Sequence, residues 1–314
     1  MSRLRARLAD PGFWGENAAP IGLVAICVAF SALTPDFRTW GNISDLLVSA
    51  SILTTLALAQ QCAIVVGGID LSIAASLPFT AVIFGLVYQS GAGSAAAIAA
   101  SLAAGAAVGL INGVLITRLK INDFIVTLGM LGAMSGIALI ICGGQSFSVS
   151  SGFLRGLALG TVGPLRYFTL IALAAALLMH GMFFHTRFGT HVLATGGNRE
   201  AARSMGIAVD RKRVAIYTLG GLLVGLAGIL LVSRTGASDP SLLTSDLLSS
   251  IAAVVLGGAS LSGGRAAIGG TVAGAVLLTA LLNGFTLLNV SEYYQPIAVG
   301  VVVIAASVLG RLQQ

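Results

Sequence analysis

Apolar segments long enough to cross a lipid bilayer follow one another along almost the whole chain. A bilayer core needs about 20 apolar residues per helix, and shorter segments are tolerated inside a bundle. Ten segments are predicted to span, at residues 20–34, 43–66, 71–89, 94–117, 123–142, 166–185, 214–232, 246–262, 266–284 and 292–310. The sequence therefore predicts an all-α integral membrane protein, a bundle of about ten transmembrane helices.

Charged residues are too scarce for a soluble globular protein. They make up 9% of the chain and hydrophobic residues 56%, whereas an ordinary soluble domain carries about 25% charged residues. The net charge of +6 raises the alternative of nucleic-acid binding, but the basic residues fall in short loops between apolar segments. Because that distribution is typical of membrane topology, we expect a lipid bilayer and no nucleic acid as partner.

The positive charges also predict the orientation of the bundle, because cytoplasmic loops of membrane proteins carry an excess of Lys and Arg. Ten spans with the N-terminus inside leave four of the 17 basic residues outside, namely Arg38, Arg155, Arg166 and Arg234. The other 13 fall on the cytoplasmic side. Both termini are therefore predicted to be cytoplasmic, and so is the polar loop at 186–213.

Gly, Ala and Ser recur in the apolar segments, for example at residues 95–107 and 220–228. Small residues let transmembrane helices approach closely, which a single membrane anchor does not need. We therefore expect one compact transmembrane domain over residues 1–314, with the cytoplasmic loop 186–213 inside it. Such surfaces also support association between subunits.

The pattern GGxxLS occurs twice, at residues 67–72 and 257–262, each time after a Val-rich segment. Internal duplication is common among transporters. Six matching residues in a chain this rich in Gly and Ser also arise without duplication, so both interpretations stay open.

The loop at 186–213 is polar and basic, and it encodes both ends of a short helix. Asn198 is a favoured N-cap residue, residues 199–205 favour helix, and Gly206 suits the left-handed position that follows a helix. A segment of this length is too short to hold a helix in water. We therefore expect this helix to dock against a partner.

Polar side chains in or beside the apolar segments are candidates for a translocation pathway, because such groups are costly in a membrane. The candidates are Gln60, Asp70, Ser72, Asn112 and Asn283, with Gln61 and Asn289 as further polar groups. For the uncharged groups, the alternative is hydrogen bonding between helices of the bundle. For Asp70, one interpretation is a broken helix in which Asp70 or Ser72 caps the next helix and shapes the pathway. The other is an ordinary N-cap at the cytoplasmic interface.

The chain carries no recognisable motif for ATP hydrolysis or other catalysis. A phosphate-binding loop requires GxxxxGK[ST], but Leu119 and Arg211 precede the only lysines, Lys120 and Lys212. The three cysteines lack metal-ligand spacing, and the acidic and His residues form no proton relay. We expect no catalytic residues, no metal and no resident cofactor, while coupling to sodium stays open.

Five blocks of the sequence, taken in order, resemble one transporter family. They are GGIDLS (67–72), FIVTLGM (124–130), ATGGNREAARSMGI (194–207), IAAVVLGGASLSGG (251–264) and NGFTLLNVSEYYQPIAVGVVVI (283–304). Together they resemble the membrane permease subunit of ribose-type bacterial ABC importers, which take up monosaccharides. The resemblance extends from about residue 40 to the C-terminus.

The resemblance implies a dimer of permeases in the bacterial inner membrane, formed with a second copy or with a paralogue. It also implies a cytoplasmic ATP-binding-cassette subunit, which holds ATP and Mg at two nucleotide sites, and a periplasmic sugar-binding protein. In that family a cytoplasmic loop with the pattern GGNxxAAxxxGI couples the permease to the ATPase. In this chain the coupling loop would comprise Gly196, Gly197, Asn198, Arg199, Glu200, Ala201, Ala202, Arg203, Gly206 and Ile207.

The short helix offers a contact surface for that ATPase. Ala201, Ala202 and Met205 are predicted to share one face, since residues three and four apart are neighbours on a helix. Alanines allow close approach to a groove, and Arg199 and Arg203 would be available for acidic groups on its rim.

Three positions depart from the pattern of many relatives, and they bear on the sugar and on pairing as a homodimer. Ala74 stands where Gly is frequent, Asp123 where Pro is frequent, and Leu247 where an acidic residue is expected. Two alternative functions stay open: a branched-chain amino-acid permease of related architecture, and a carrier or membrane enzyme that needs no separate motor.

Overall fold

The computed structural model describes residues 11–240 and 245–311, and most of these residues are helical. The α-helices are, in chain order, α1 (Pro11–Leu33), α2 (Trp40–Val65), α3 (Ile73–Val87), α4 (Gly93–Arg118), α5 (Asp123–Cys142), α6 (Gly152–Leu159), α7 (Tyr167–His185), α8 (Arg187–Gly197), α9 (Arg199–Ser204), α10 (Val209–Thr235), α11 (Ser245–Leu256), α12 (Ile268–Leu287) and α13 (Gln295–Arg311). Connecting segments of these residues include 3-10 helices at Pro35–Arg38 and Glu292–Tyr294 and a π-helical turn at Tyr88–Ala92.

Short strands lie at one end of the bundle, called the strand end below. β1 (Phe147–Ser148) pairs antiparallel with β4 (Ala237–Ser238), and β2 (Thr161–Val162) with β3 (Leu165–Arg166). An ion pair of 2.9 Å between Arg166 and Asp45 brings the start of α2 to the same end. The opposite end holds α8 and α9 and is called the α9 end.

Six helical stretches in the described part of the chain are long and apolar enough to cross a membrane. They are Trp40–Val65, Ile73–Arg118, Asp123–Cys142, Tyr167–His185, Val209–Thr235 and Ile268–Leu287. They bear out the prediction of an all-α membrane protein. The second stretch contains two of the predicted spans, α3 and α4, because the chain kinks at Gly91, where φ is +83°.

Each of the ten predicted segments overlaps an α-helix, but not every boundary is right. The segment 246–262 is wrong at its end, because α11 stops at Leu256 and Gly257 and Gly258 begin a turn. Helices α1, α11 and α13 lie outside the six stretches. The number of spans and the side of the termini therefore stay predictions, and Arg3, Arg5 and Arg7, which support the orientation, lie outside the described residues.

The centre of the core lies where α2 packs against α7 and α10. Leu56 of α2, Phe183 of α7 and Leu230 of α10 belong to one cluster of buried residues and are at most 1% exposed. Because α2 is buried from Ala50 to Val65, the polar residues of that stretch lie inside protein rather than in lipid.

Helices α4 and α10 are in direct backbone contact through glycines. A Cβ added to Gly105 would collide with the carbonyl oxygen of Gly221, and one added to Gly221 would collide with that of Gly105. One turn further along, a Cβ on Gly109 would meet the backbone of Tyr217. The small residues therefore permit the close approach that the sequence predicts.

Each GGxxLS segment ends a helix with a left-handed glycine. In the first segment this is the first glycine of the pair, and in the second segment it is the second glycine. After α2, Gly67 has φ of +72° and the Gly68 amide donates to Ala63 O at 3.0 Å. After α11, it is Gly258 that has positive φ, +85°. Left-handed glycines after a helix satisfy its last carbonyls, so the pattern GGxxLS encodes a helix end in both places.

We expect Gly105→Ala to destabilise the protein, because the new methyl group would force α4 and α10 apart. Overpacking of this kind costs about 1–3 kcal/mol. The measurement is the thermal unfolding midpoint of the detergent-purified protein. Gly132→Ala on α5 is the matched control, since a Cβ there meets nothing within 4 Å. Equal midpoints for the two variants would contradict close α4–α10 packing.

Candidate functional site

The short helix predicted in the polar loop is present as α9, with both predicted ends. The side chain of Asn198 accepts a hydrogen bond from the Ala201 amide at 3.0 Å, as an N-cap does. Gly206 has φ of +79°, and the Ile207 amide donates to Ala202 O at 3.0 Å. These bonds close a Schellman motif, so a helix of only six residues is fixed at both termini.

The face that α9 presents to solvent differs from the predicted one. Ala201 is exposed and Met205, directly after the helix, is 83% exposed, but Ala202 is only 4% exposed. The prediction of a face shared by all three is wrong for Ala202, which packs inward instead. Successive helical residues point about 100° apart, so Ala201 and Met205 share a face that Ala202 does not.

The two arginines of α9 have partners within the chain. Arg203 Nη2 lies 2.8 Å from Asp210 Oδ1, and both side chains are more than half exposed. Arg199 Nη2 instead donates to the carbonyl oxygen of Val66 at 3.1 Å. Their contact with an acidic rim on a partner stays a prediction.

Three backbone segments pack together next to α9, at residues 65–67, 196–197 and 263–264. We call this contact the glycine junction. The Gly264 amide donates to Val65 O at 2.8 Å. A Cβ on Gly196 would collide with the same carbonyl, and one on Gly264 would lie 2.7 Å from Gly197 Cα. Side chains are excluded from this contact, which explains why the loop requires glycine there.

Asp70, Ser72 and Asn112 form one buried group, called the polar cluster below. Asp70 Oδ1 accepts from the Ser72 amide at 2.9 Å and from Ser72 Oγ, and Asn112 Nδ2 donates to Ser72 Oγ at 2.9 Å. Asp70 is 7% exposed and the other two at most 1%. Burial raises the pKa of the Asp70 carboxyl, although the hydrogen bonds from Ser72 act in the opposite direction.

Asp70 and Ser72 lie at the start of α3 and differ in their bonds to it. Ser72 occupies the N-cap position without a side-chain cap bond, and the carboxylate of Asp70 bonds the Ser72 amide rather than amides inside the helix. The chain is broken between α2 and α3, and the bond from the Ser72 amide to Asp70 Oδ1 is of the kind that an N-cap side chain accepts from two residues on. Whether Asp70 shapes a pathway or lies at the cytoplasmic interface stays a prediction. Its side chain closes the turn at 66–72 and joins it to α4 through Ser72 and Asn112.

The 66–72 turn is also held by α5. Asp123 Oδ2 accepts from the Ile69 amide at 3.0 Å, and Thr127 Oγ1 donates to Ile69 O at 3.3 Å. A Cβ on Gly68 would lie 2.8 Å from Asp123 Oδ2 and would collide with the Tyr217 hydroxyl. The sequence marks Asp123 only as a departure from a pattern, and its partner 54 residues earlier gives no local signal.

The other predicted pathway residues lie apart from the polar cluster. Gln60 and its neighbour Gln61 are fully buried in α2, and among the described residues their amide groups have no hydrogen-bond partner. Asn283 exchanges two amide hydrogen bonds with Asn42, of 3.0 and 2.8 Å. Since Asn42 begins α2, this pair lies near the strand end and is satisfied. The described residues contain no group of three or more His, Cys, Asp or Glu that could hold a metal.

Comparison with known proteins assigns the chain to a transporter family. The family described as "Branched-chain amino acid transport system / permease component" matches residues 42–307. The chain belongs to this permease family. No solved structure matches it with significance.

Individual relatives of this permease match almost end to end. The ribose import permease protein RbsC of Escherichia coli (strain K12) is 35% identical over 309 residues, 95% of this chain and 94% of that protein. Its namesake in Bacillus subtilis (strain 168) is 39% identical, covering 93% and 91%. The L-arabinose ABC transporter permease protein AraH of Azospirillum brasilense is 34% identical, covering 90% and 84%. These relatives confirm the resemblance carried by the five sequence blocks.

Both parts of the candidate site fall inside the family match. It includes the polar cluster, the glycine junction and α9, whereas the whole of α1 precedes it. The permease is therefore a multi-pass membrane protein whose α9 end gathers an exposed helix and a buried polar group.

We expect Ser72→Ala to destabilise the permease, because it leaves Asp70 and Asn112 buried with one hydrogen bond fewer each. Leaving buried polar groups unpaired costs about 1–3 kcal/mol. Ser76→Ala, one turn further along, is the matched control: Ser76 is 2% exposed and its hydroxyl has no partner among the described residues. The measurement is again thermal unfolding in detergent. A loss for Ser76→Ala as large as that for Ser72→Ala would contradict the role of the cluster.

Proposed function

We propose that this chain is the permease subunit of an ATP-binding-cassette importer that moves a monosaccharide across the bacterial inner membrane. The relatives that support this are named for import of ribose and for transport of L-arabinose and D-allose, at 31–39% identity. Those names favour a sugar over the branched-chain amino-acid alternative, although the family description mentions amino acids. One relative is named as an ABC transporter permease, which favours a motor-dependent importer over an independent carrier.

The proposed orientation puts the α9 end in the cytoplasm and the strand end outside, with ten spans and both termini inside. The arginines assigned to the outside support it. Arg155 and Arg234 line one cavity of about 380 Å³ beside β1 and β4, and Arg166 pairs with Asp45 at the start of α2. The α9 end, by contrast, carries the basic loop 186–213 and Arg118.

The proposed partner at the α9 end is a separate ATPase subunit, which would bind ATP and Mg at its two nucleotide sites. The observation that carries this proposal is Met205, an 83% exposed apolar side chain on an otherwise polar segment. Exposed apolar anchors of this kind fill pockets on partner proteins. A second permease, identical or a paralogue, and a periplasmic sugar-binding protein would complete the importer.

In the proposed mechanism, nucleotide-driven closure of the ATPase moves α9 and switches the bundle between outward-open and inward-open forms. Polar groups inside the bundle would then line the sugar's path. Gln60 supports this role because its amide is buried without a partner among the described residues, and sugar hydroxyls could satisfy it. The polar cluster lies further towards the cytoplasm on the same proposed path. Asn283, already satisfied by Asn42, would instead hold α12 to α2.

Reconstitution tests the proposed function as a whole. The permease, its ATPase and its sugar-binding protein are placed in liposomes, and uptake of the sugar that thermally stabilises the binding protein is measured. We expect uptake only when all three proteins and ATP are present. Uptake that persists without the ATPase would contradict the proposal and favour an independent carrier.

We expect Met205→Glu to reduce copurification of the ATPase with the permease at least tenfold. The reason is that a carboxylate would enter an apolar groove without a partner, and about 1.4 kcal/mol of lost affinity already corresponds to that factor. Met205→Leu, which keeps the apolar side chain, is expected to retain most of the association. Ala202→Glu is a poorer test, because Ala202 is buried within the permease itself. Undiminished copurification of Met205→Glu would exclude Met205 as an anchor.

We expect Gln60→Leu to lower sugar uptake about tenfold without destabilising the permease. Leucine fills a similar volume and removes a buried amide that has no partner, which is neutral or stabilising, whereas a lost hydrogen bond to the sugar of about 1.4 kcal/mol is a factor of ten. Uptake in liposomes and unfolding in detergent give the two readouts. A lower unfolding temperature with normal uptake would mean that Gln60 only holds helices together.

A further inference from the structure

Arg199 connects α9 to a part of the chain that lies far from it in sequence. Its guanidinium reaches the carbonyl oxygen of Val66 at 3.1 Å, a residue that is 0% exposed. A Cβ on the next residue, Gly67, would lie 3.7 Å from the same nitrogen. The bond is charge-assisted, and such bonds are stronger than those between neutral groups.

The carbonyl that Arg199 holds belongs to the turn that carries the polar cluster. Four residues after Val66, Asp70 accepts from Ser72, and Ser72 accepts from Asn112 of α4. Between them, Ile69 is fixed by α5 through Asp123. A continuous line of hydrogen bonds and backbone therefore runs from α9 through the 66–72 turn to the interior of α4.

The other contacts between α8–α9 and this turn differ in kind from the Arg199 bond. Gly196 meets Val65 by close backbone packing, and Val65 O is already taken by the Gly264 amide. Such packing can resist a movement of α9 towards the turn, but it cannot draw the turn along when α9 moves away. Arg199 is the residue of α9 whose hydrogen bond reaches the turn directly, so a displaced α9 must either carry Val66 with it or break this bond.

We propose that Arg199 is a positioning residue that transmits the movement of α9 to the 66–72 turn and, through it, to the polar cluster. The inference rests on the proposed function, because it assumes that α9 is moved by an ATPase. Coupling travels through contiguous, physically connected elements, and this line connects the two halves of the candidate site. Arg199 thus bonds back to the permease, while the exposed Met205 would face the partner.

The test uses the complete importer with Arg199→Ala, Arg199→Lys and Arg118→Ala. Arg118 is an exposed arginine at the end of α4, at the same end of the bundle, and serves as the matched control. Three quantities are measured for each variant: the ATPase that copurifies with the permease, the thermal unfolding of the permease, and the sugar imported per ATP hydrolysed.

We expect Arg199→Ala to lower the sugar imported per ATP at least about fivefold, the lower end of the range for coupling between two sites. The copurifying ATPase should stay at the wild-type amount. Arg199→Lys should recover part of the ratio, because an ammonium group also donates to a carbonyl. Arg118→Ala should keep the wild-type ratio.

Several results would overturn the proposal. An unchanged ratio in Arg199→Ala would do so, and so would a loss of ATPase copurification, which would make Arg199 a docking residue. If Arg199→Ala does not insert, the well-inserted Arg199→Lys decides: a wild-type ratio with a weakened unfolding midpoint would indicate a purely structural role. An unmodified importer without ATP-dependent uptake would instead contradict the proposed function, and it is recognised before any variant is compared.

Discussion

The backbone contact at the glycine junction is the constraint on which the rest of the α9 end depends. Inside a membrane protein, helix ends must satisfy their last carbonyls within the chain, and Val65 does so by accepting from Gly264. That bond draws the turn after α11 against the turn after α2, and Gly196 then fits only because it has no side chain. The position of α9, which begins three residues later, follows from this contact rather than from its own sequence.

Polar groups in the bundle divide into those whose partners fix structure and those left without partners. The Asn42–Asn283 pair and most of the polar cluster belong to the first class, since their mutual hydrogen bonds join helices that are distant in sequence, while Asn112 Oδ1 has no partner among the described residues. Gln60 and Gln61 belong to the second among the described residues. Burying an amide without a partner costs about 1–3 kcal/mol, and Gln60 and Gln61 each leave both amide atoms without one among the described residues, which supports the proposed contact with a solute. That asymmetry is why Gln60 is a stronger candidate for contact with a solute than Asn283.

Local features of this chain were predictable from sequence, whereas orientations and distant pairings were not. The ends of α9 are encoded by Asn198 and Gly206 because caps depend on residues within one turn. Whether Ala202 is buried or exposed depends on how the glycine junction positions α9 against the bundle. The sequence of the helix alone therefore assigns Ala202 to the wrong face. Likewise, the hydrogen bond between Ile69 and Asp123 forms only because α5 packs beside the 66–72 turn. Neither residue predicts its partner from the sequence. The helical membrane architecture was predictable from composition and from the length of the apolar segments. The number of spans was not, because it depends on short helices such as α11, whose length does not decide whether they cross the membrane.

A helix as short as α9 can act as a coupling element only if its neighbours make it rigid. Six residues do not hold a helix in water, but here the Asn198 cap and the Schellman motif at Gly206 close both ends, and the buried Ala202 seats it. Two side chains then lie on opposite sides: Met205, directly after the helix, is exposed to solvent, and Arg199 bonds back to Val66. Because a force on Met205 cannot be absorbed by fraying of the helix, it must displace α9 as a unit. In the proposed coupling the 66–72 turn responds through Arg199, and its left-handed Gly67 is a residue whose backbone angles can change at little steric cost.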